Sequence, residues 1–176
     1  MSINPLDIKR KILLADNLIR SRVKIVESAS PFSLEYAGVV GGIHVVNDSA
    51  ATSVEKLAVS LSTFDEPVVW IVEASPYLRE VELLRDIVNA RVKSIVAIGT
   101  ELEAVHKALW PSMGYFIGAD TWDEALDMAL LAAKANDTIL FSPGCRAQEP
   151  FLNFKERGAY FNRLVEIKRQ TKNNLP

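Results

Sequence analysis

Cysteine is all but missing from this 176-residue chain: Cys145 is the single one, and the two histidines, His44 and His106, lie far apart. No disulfide can close within such a chain. A tetrahedral zinc site of Cys and His ligands cannot assemble without borrowing several carboxylates, so no metal centre is expected. An excess of charge of one sign is missing too. The 20 Lys and Arg residues against 22 Asp and Glu leave a net charge of −2, without the basic footprint of a nucleic-acid-binding surface. No stretch approaches the ~20 apolar residues of a membrane span, and the most apolar helix candidate, around residues 125–135, carries Asp127 and Lys134. Met1 to Asn17 interrupts its apolar residues with Asp7, Lys9, Arg10, Lys11 and Asp16, unlike the uncharged core of a signal peptide. The expectation is a soluble cytoplasmic protein with Cys145 reduced and neither nucleic acid nor membrane as partner. Two phosphate-binding signatures are also absent. There is no Gly-x-x-x-x-Gly-Lys-Ser/Thr loop for a triphosphate and no Gly-x-Gly-x-x-Gly turn for a dinucleotide, so no cofactor is expected to bind these residues unaided.

What the sequence does hold is apolar periodicity, in a chain that is 49% hydrophobic and long enough to bury a core without staples. Ile8, Ile12, Leu13, Leu18 and Ile19 fall near a helical period, predicting an N-terminal amphipathic helix to about Arg20 within an extension over 1–30. Its stripe must fold back on the domain or pair with a second copy, giving a homodimer, because so short a helix is marginal alone in water. Residues 31–47 read as a β-hairpin or ribbon, with a break at Ala37-Gly38 and a turn at Gly41-Gly42. Helix and strand patterns then alternate: helices over 52–63, 78–90, 101–109, 122–135 and 151–170, strands over 67–72, 92–98, 115–117 and 138–141. Thr121 and Glu124 form a capping-box signature ahead of the fourth of these helices. Continuous apolar strands separated by helices predict an α/β domain over 31–176, with a Rossmann-like, mostly parallel sheet and helices on both faces.

In such a sheet, sites gather beyond the carboxyl ends of the strands, at 47–52, 73–77, 99–101 and 142–149. Each residue there also has an ordinary structural reading. Asp48, between a strand and a helix, reads first as a helix cap. Cys145 reads as a reduced, inert thiol, since a nucleophile needs a neighbouring cation or base. Trp70 and Trp122 read as packing residues, and Glu156 with Arg157 as a solvated ion pair on the last helix.

The run Val45-Val46-Asn47-Asp48-Ser49-Ala50-Ala51-Thr52-Ser53, together with Leu140-Phe141-Ser142-Pro143-Gly144-Cys145 and Phe151-x-Asn153-Phe154-x-x-Arg157-Gly158-x-x-Phe161 far downstream, resembles the C-terminal domain of the Mur ligases. Within that family it is similar to the enzymes that add D-glutamate, whose strings read N-D-S-K-A-T, L-S-P-A-C-A-S and F-x-N-F-x-x-R-G. The likeness runs from about Ser33 to the end of the chain. It implies a Rossmann-like domain that closes over a central ATP-binding domain and helps to hold the incoming amino acid. By the same resemblance Asp48 is a nucleotide contact, and Thr52, Phe154 and Ser142 belong to the substrate pocket.

Several positions depart from the family pattern. Ala50 stands in place of the lysine of N-D-S-K-A-T, Ala147 in place of the serine after the cysteine, and Tyr77 in place of the lysine of a G-G-x-D-K loop. Phe32-Ser33 replaces a His-Arg pair whose arginine contacts the nucleotide. Losing these cations while placing Glu73 beside the pocket is expected to turn attraction for a carboxylate into repulsion. The expectation is therefore a stand-alone, degenerate Mur-type domain that is not catalytic by itself and acts as a binding or interaction module. The competing expectation is a subunit of an ATP-dependent amino-acid ligase, working in trans with a separate ATP-binding chain that brings ATP and magnesium.

Overall fold

The computed structural model describes residues 30–110 and 114–173, so the expected N-terminal helix lies outside the described residues. Six strands form one mixed sheet in the order β1-β2-β6-β3-β4-β5: β1 (Glu35–Val40), β2 (Ile43–Asn47), β3 (Val68–Ala74), β4 (Val92–Gly99), β5 (Tyr115–Ala119) and β6 (Thr138–Phe141). The β1–β2 pair is antiparallel and every other pairing is parallel. The hairpin is not a ribbon standing ahead of the domain. It is the edge of the main sheet, joined through β2 to β6, and its Ala37-Gly38 break is a register shift between Tyr36 and Gly38.

The helices are α1 (Val54–Ser62), α2 (Arg85–Arg91), α3 (Leu102–Leu109), α4 (Trp122–Ala132) and α5 (Phe154–Asn173). Successive strand residues point to opposite faces, and two apolar layers follow from that period. Val46, Trp70, Val72, Ile95 and Leu140 meet α1, α2 and α3 on one face, while Val45, Ile71, Val96, Ile139 and Phe141 meet α4 and α5 on the other. Strands covered on both sides are why they read as unbroken apolar runs.

Three helix expectations shift, two of them for a local reason. The helix expected over 78–90 breaks into a 3-10 turn (Val81–Leu84) followed by α2. Leu78 N–H turns back to Ser75 O, Tyr77 N–H to Ser75 Oγ, and Glu80 sits in the left-handed region at φ 60°, so no helix can start before Val81. The last helix begins at Phe154, not Phe151, because Asn153 Oδ1 accepts the amides of Lys155 and Glu156 and so caps it. Helix α4 ends at Ala132, short of the expected 135. At its start Thr121 Oγ1 accepts the Glu124 amide, but Glu124 returns to the amide of Asp120 instead of closing the box on Thr121. Among the described residues no helix is long and apolar enough to cross a membrane, and no group of three or more Asp, Glu, His or Cys is placed to hold a metal.

Candidate functional site

The loops leaving β2, β3 and β6 meet at one end of the sheet, and a buried ion pair beneath them sets their positions. Arg157, on the first turns of α5, is 1% exposed. Its Nη1 donates to Glu73 Oε2 at 2.6 Å, Nε to Ser49 Oγ at 3.1 Å, and Nη2 to the carbonyls of Ser49 and Cys145, each at 3.0 Å. Glu73, at the end of β3, also accepts from Gln148 Nε2 at 2.9 Å, and Ser49 Oγ donates on to Phe154 O. One guanidinium thus ties together the segments after β2, β3 and β6. The cost of burying two charges is met by close pairing and by hydrogen bonds to the remaining donors and acceptors.

This arrangement corrects two expectations. Glu156 and Arg157 are not a solvated pair: Glu156 accepts the Leu152 amide at the start of α5, while Arg157 faces the core. Glu73 is not a free negative charge repelling a carboxylate, because Arg157 and Gln148 hold both its oxygens. The signal for Arg157 was present in the sequence. It falls three residues after Phe154 and four before the buried Phe161, on the apolar stripe of the helix. Nothing in the local pattern marked Gln148.

Asp48 does not cap α1; Ser53 does, its side chain accepting the Lys56 amide. Asp48 is 2% exposed and instead accepts the Leu34 amide and the Ser142 hydroxyl, the latter at 2.6 Å. Burial pushes its carboxyl above the ordinary value, against the opposing pull of hydrogen bonds from Ser142, Ser60 and Leu34 and the charge of Lys56. Ser142 is wholly buried, and its carbonyl accepts Trp70 Nε1 at 2.8 Å, so Ser142 and Trp70 lie beneath the loops in the packed interior. Cys145 is buried as well, and desolvation, with the charge of Glu73 added, pushes its thiol up to about 11, far from a nucleophile. Gly144 precedes it at φ 72°, where an added Cβ would stand 2.7 Å from Leu57 Cδ2. Only glycine lets the β6 loop pass there.

Above this floor opens a cleft of about 740 Å³ lined by Thr52, Tyr77, Arg146, Ala147, Gln148, Glu149, Leu152, Asn153 and Phe154. Of the positions singled out in the sequence, Thr52, Tyr77 and Ala147 come together on its walls from three separate loops, with Phe154 from the start of α5. Asp48 and Ser142 lie below it. Ala50, whose amide is tied to Phe32 O, and Ser33, in the bend before β1, are not among its lining residues. The cleft also holds a cation: the Arg146 guanidinium carbon lies 3.7 Å from the centre of the Tyr77 ring.

No protein-family model matches the chain. It is 36% identical over 136 residues to UDP-N-acetylmuramoylalanine–D-glutamate ligase of Bdellovibrio bacteriovorus, covering 77% of this chain and 29% of that protein. It is 32% identical over 157 residues to the ligase of the same name from Salinibacter ruber, covering 89% and 34%. The Aquifex aeolicus ligase is 36% identical over 138 residues, covering 78% and 33%. The solved MurF ligase from Thermotoga maritima superposes with a TM-score of 0.49 at 14% identity, over 82% of this chain and 32% of that one. The chain spans about a third of the length of the curated relatives it matches. Its sequence thus relates it to the Mur ligases, as an α/β domain similar to about a third of the D-glutamate-adding enzymes.

Proposed function

We propose that this domain is a binding or interaction module of the peptidoglycan-precursor ligase type that does not itself add D-glutamate. The observation that supports this is the make-up of the cleft. Of the positions that resemblance assigns to holding the D-glutamate carboxylate, Tyr77 and Ala147 line the cleft and Ala50 lies outside it; none is a cation, and the buried Arg157 is already held by Glu73. A charge-assisted pair stabilises by about 1.5–3 kcal/mol, so a pocket without its lysines forgoes most of the affinity for a second carboxylate. The 176 residues hold no phosphate-cradling loop, so ATP and magnesium would be bound by residues outside them.

A second reading, a ligase part that works with a separate ATP-binding chain, is favoured by one feature: Thr52 and Phe154 line the same open cleft as the altered Tyr77 and Ala147. Both readings meet one assay. The full chain is incubated with UDP-N-acetylmuramoyl-L-alanine, D-glutamate and Mg-ATP, alone and mixed with the ATP-binding portion of a relative, and product is followed by mass spectrometry. No product in either case is the expected result. Product in the mixture alone would support the second reading, and product from the chain alone would overturn the first.

A further inference from the structure

We infer that a groove between the 3-10 turn and α3 is the docking surface for a basic amphipathic segment of this same chain, residues 8–20. The groove, of about 250 Å³, shares none of its lining residues with the cleft. Val81 and Val105 form a buried apolar floor, while Ala104 and Ala108, one turn apart on α3, leave room for another backbone to come near. Two carboxylates line it as well, Glu82 from the 3-10 turn and Glu101 from the residue ahead of α3, and no lining residue is a cation. Neither carboxylate has a hydrogen bond or ion pair with the described residues. Arg85, three residues beyond Glu82, is turned away to the Ala108 carbonyl, to which its Nε donates at 2.6 Å.

An apolar floor with unneutralised carboxylates selects an occupant that carries an apolar ridge flanked by cations. Read at a helical period, Ile8, Ile12 and Ile19 share one side, with Lys9 on one flank of it and Lys11 on the other. The charge balance agrees. Lys and Arg outnumber Asp and Glu by six to three over residues 1–29, and are outnumbered fourteen to nineteen over 30–176. The segment can also reach. The described residues begin at Ser30; Phe32 O accepts the Ala50 amide beside the loop after β2, and Leu34 packs into the layer covered by α1, α2 and α3. The groove opens on that same layer, beyond the ends of β3 and β4, where the Glu101 amide donates to Ala74 O. Only β6 separates β2 from β3, so the lateral distance is about 10–15 Å. Residues 21–29 span up to about 30 Å when extended, enough to set residues 8–20 in the groove.

Carbodiimide coupling of lysine amines to carboxylates tests the assignment on the full chain, using a mixture of unlabelled and isotope-labelled protein read by mass spectrometry. Peptides joining Lys9 or Lys11 to Glu82 or Glu101, with both halves carrying the same isotope, are the expected result. Joined peptides of mixed isotope would place the segment of a second copy in the groove and overturn the same-chain assignment. Absence of these links, or coupling of Lys9 and Lys11 just as readily to the exposed Glu156 on α5, would overturn docking in this groove altogether. A charge exchange gives a second measurement. Glu82→Lys with Glu101→Lys should speed amide hydrogen exchange over residues 8–20 by about tenfold, and adding Lys9→Glu with Lys11→Glu should restore the slow rate, a rescue that a merely misfolded variant would not show. Exchange over residues 8–20 that ignores the reversal at Glu82 and Glu101 would refute the inference.

Discussion

Arg157 and Glu73 show how one residue pair can decide whether three loops share a geometry. Replacing Arg157 with Met leaves Glu73 buried with Gln148 alone, and the expected loss is about 3–5 kcal/mol in urea denaturation. The Arg157→Met, Glu73→Leu double variant should lose less than Arg157→Met alone, since no bare charge remains; an equal or larger loss would mean that the pair contributes little beyond packing. Asp48 carries a different kind of prediction. Its carboxyl titrates above its ordinary value of 3.8 in the folded chain. The folded state therefore holds that proton more tightly than the unfolded state, and stability contributed at low pH is lost as pH rises through the folded value. Asp48→Asn, whose Oδ1 can still accept the Leu34 amide while its Nδ2 donates to the Ser142 hydroxyl, removes that dependence. Melting temperatures of the two proteins should diverge in favour of the Asn variant as pH is raised from about 4 toward neutrality, and parallel curves would refute the assignment.

Within α5, Gly158 breaks the usual propensity rule. An alanine in a helix interior normally stabilises by about 1 kcal/mol relative to glycine. Here the added Cβ would stand 2.6 Å from the Phe32 ring, at its Cγ as well as its Cδ1, too near the root of that side chain for it to swing clear. Phe32 is itself held at φ 61° by its amide to Glu35 Oε2 and by its carbonyl accepting the Ala50 amide. Gly158→Ala should therefore destabilise by about 1–3 kcal/mol, and Phe32→Ala combined with it should recover part of the loss in thermal melts. Elements of this kind mark where the sequence was readable. The strands over 92–98 and 138–141, and the helix over 101–109, follow from apolar period alone, because both faces of the sheet are covered and nothing local competes. The helix expected over 78–90 was obscured by Ser75, whose oxygens capture two amides that periodicity cannot see. The cleft was half legible. Loop position took in Thr52, Tyr77 and Ala147 and the family resemblance named Phe154, but the pairing of Glu73 with a residue 84 positions away, and the placing of Arg146 on Tyr77, depend on the assembled sheet.

At the scale of the whole molecule, the sheet has a seam. Strands β1 and β2 touch β3, β4 and β5 only by way of β6, where Leu140 sits opposite Val46 on one side and Trp70 on the other. Leu140 is fully buried, and Leu140→Ala should cost about 2–5 kcal/mol. Because the two halves share that strand, hydrogen exchange should show amides of β2 and β3 opening together in this variant; loss of protection in β2 alone would mean that the halves are separately stable. The order of strands in space also sets an order in time. As the chain leaves the ribosome, the β1–β2 hairpin and the three strands β3 to β5 emerge as two pieces that cannot yet join, for the strand at the middle of the sheet is the last one made. Until residues 138–141 appear, both inner edges stand open to any neighbouring strand. The loop over 142–149 and the arginine that locks it follow directly on that strand, so the sheet closes and the cleft takes shape in a single late step, after the other five strands are made.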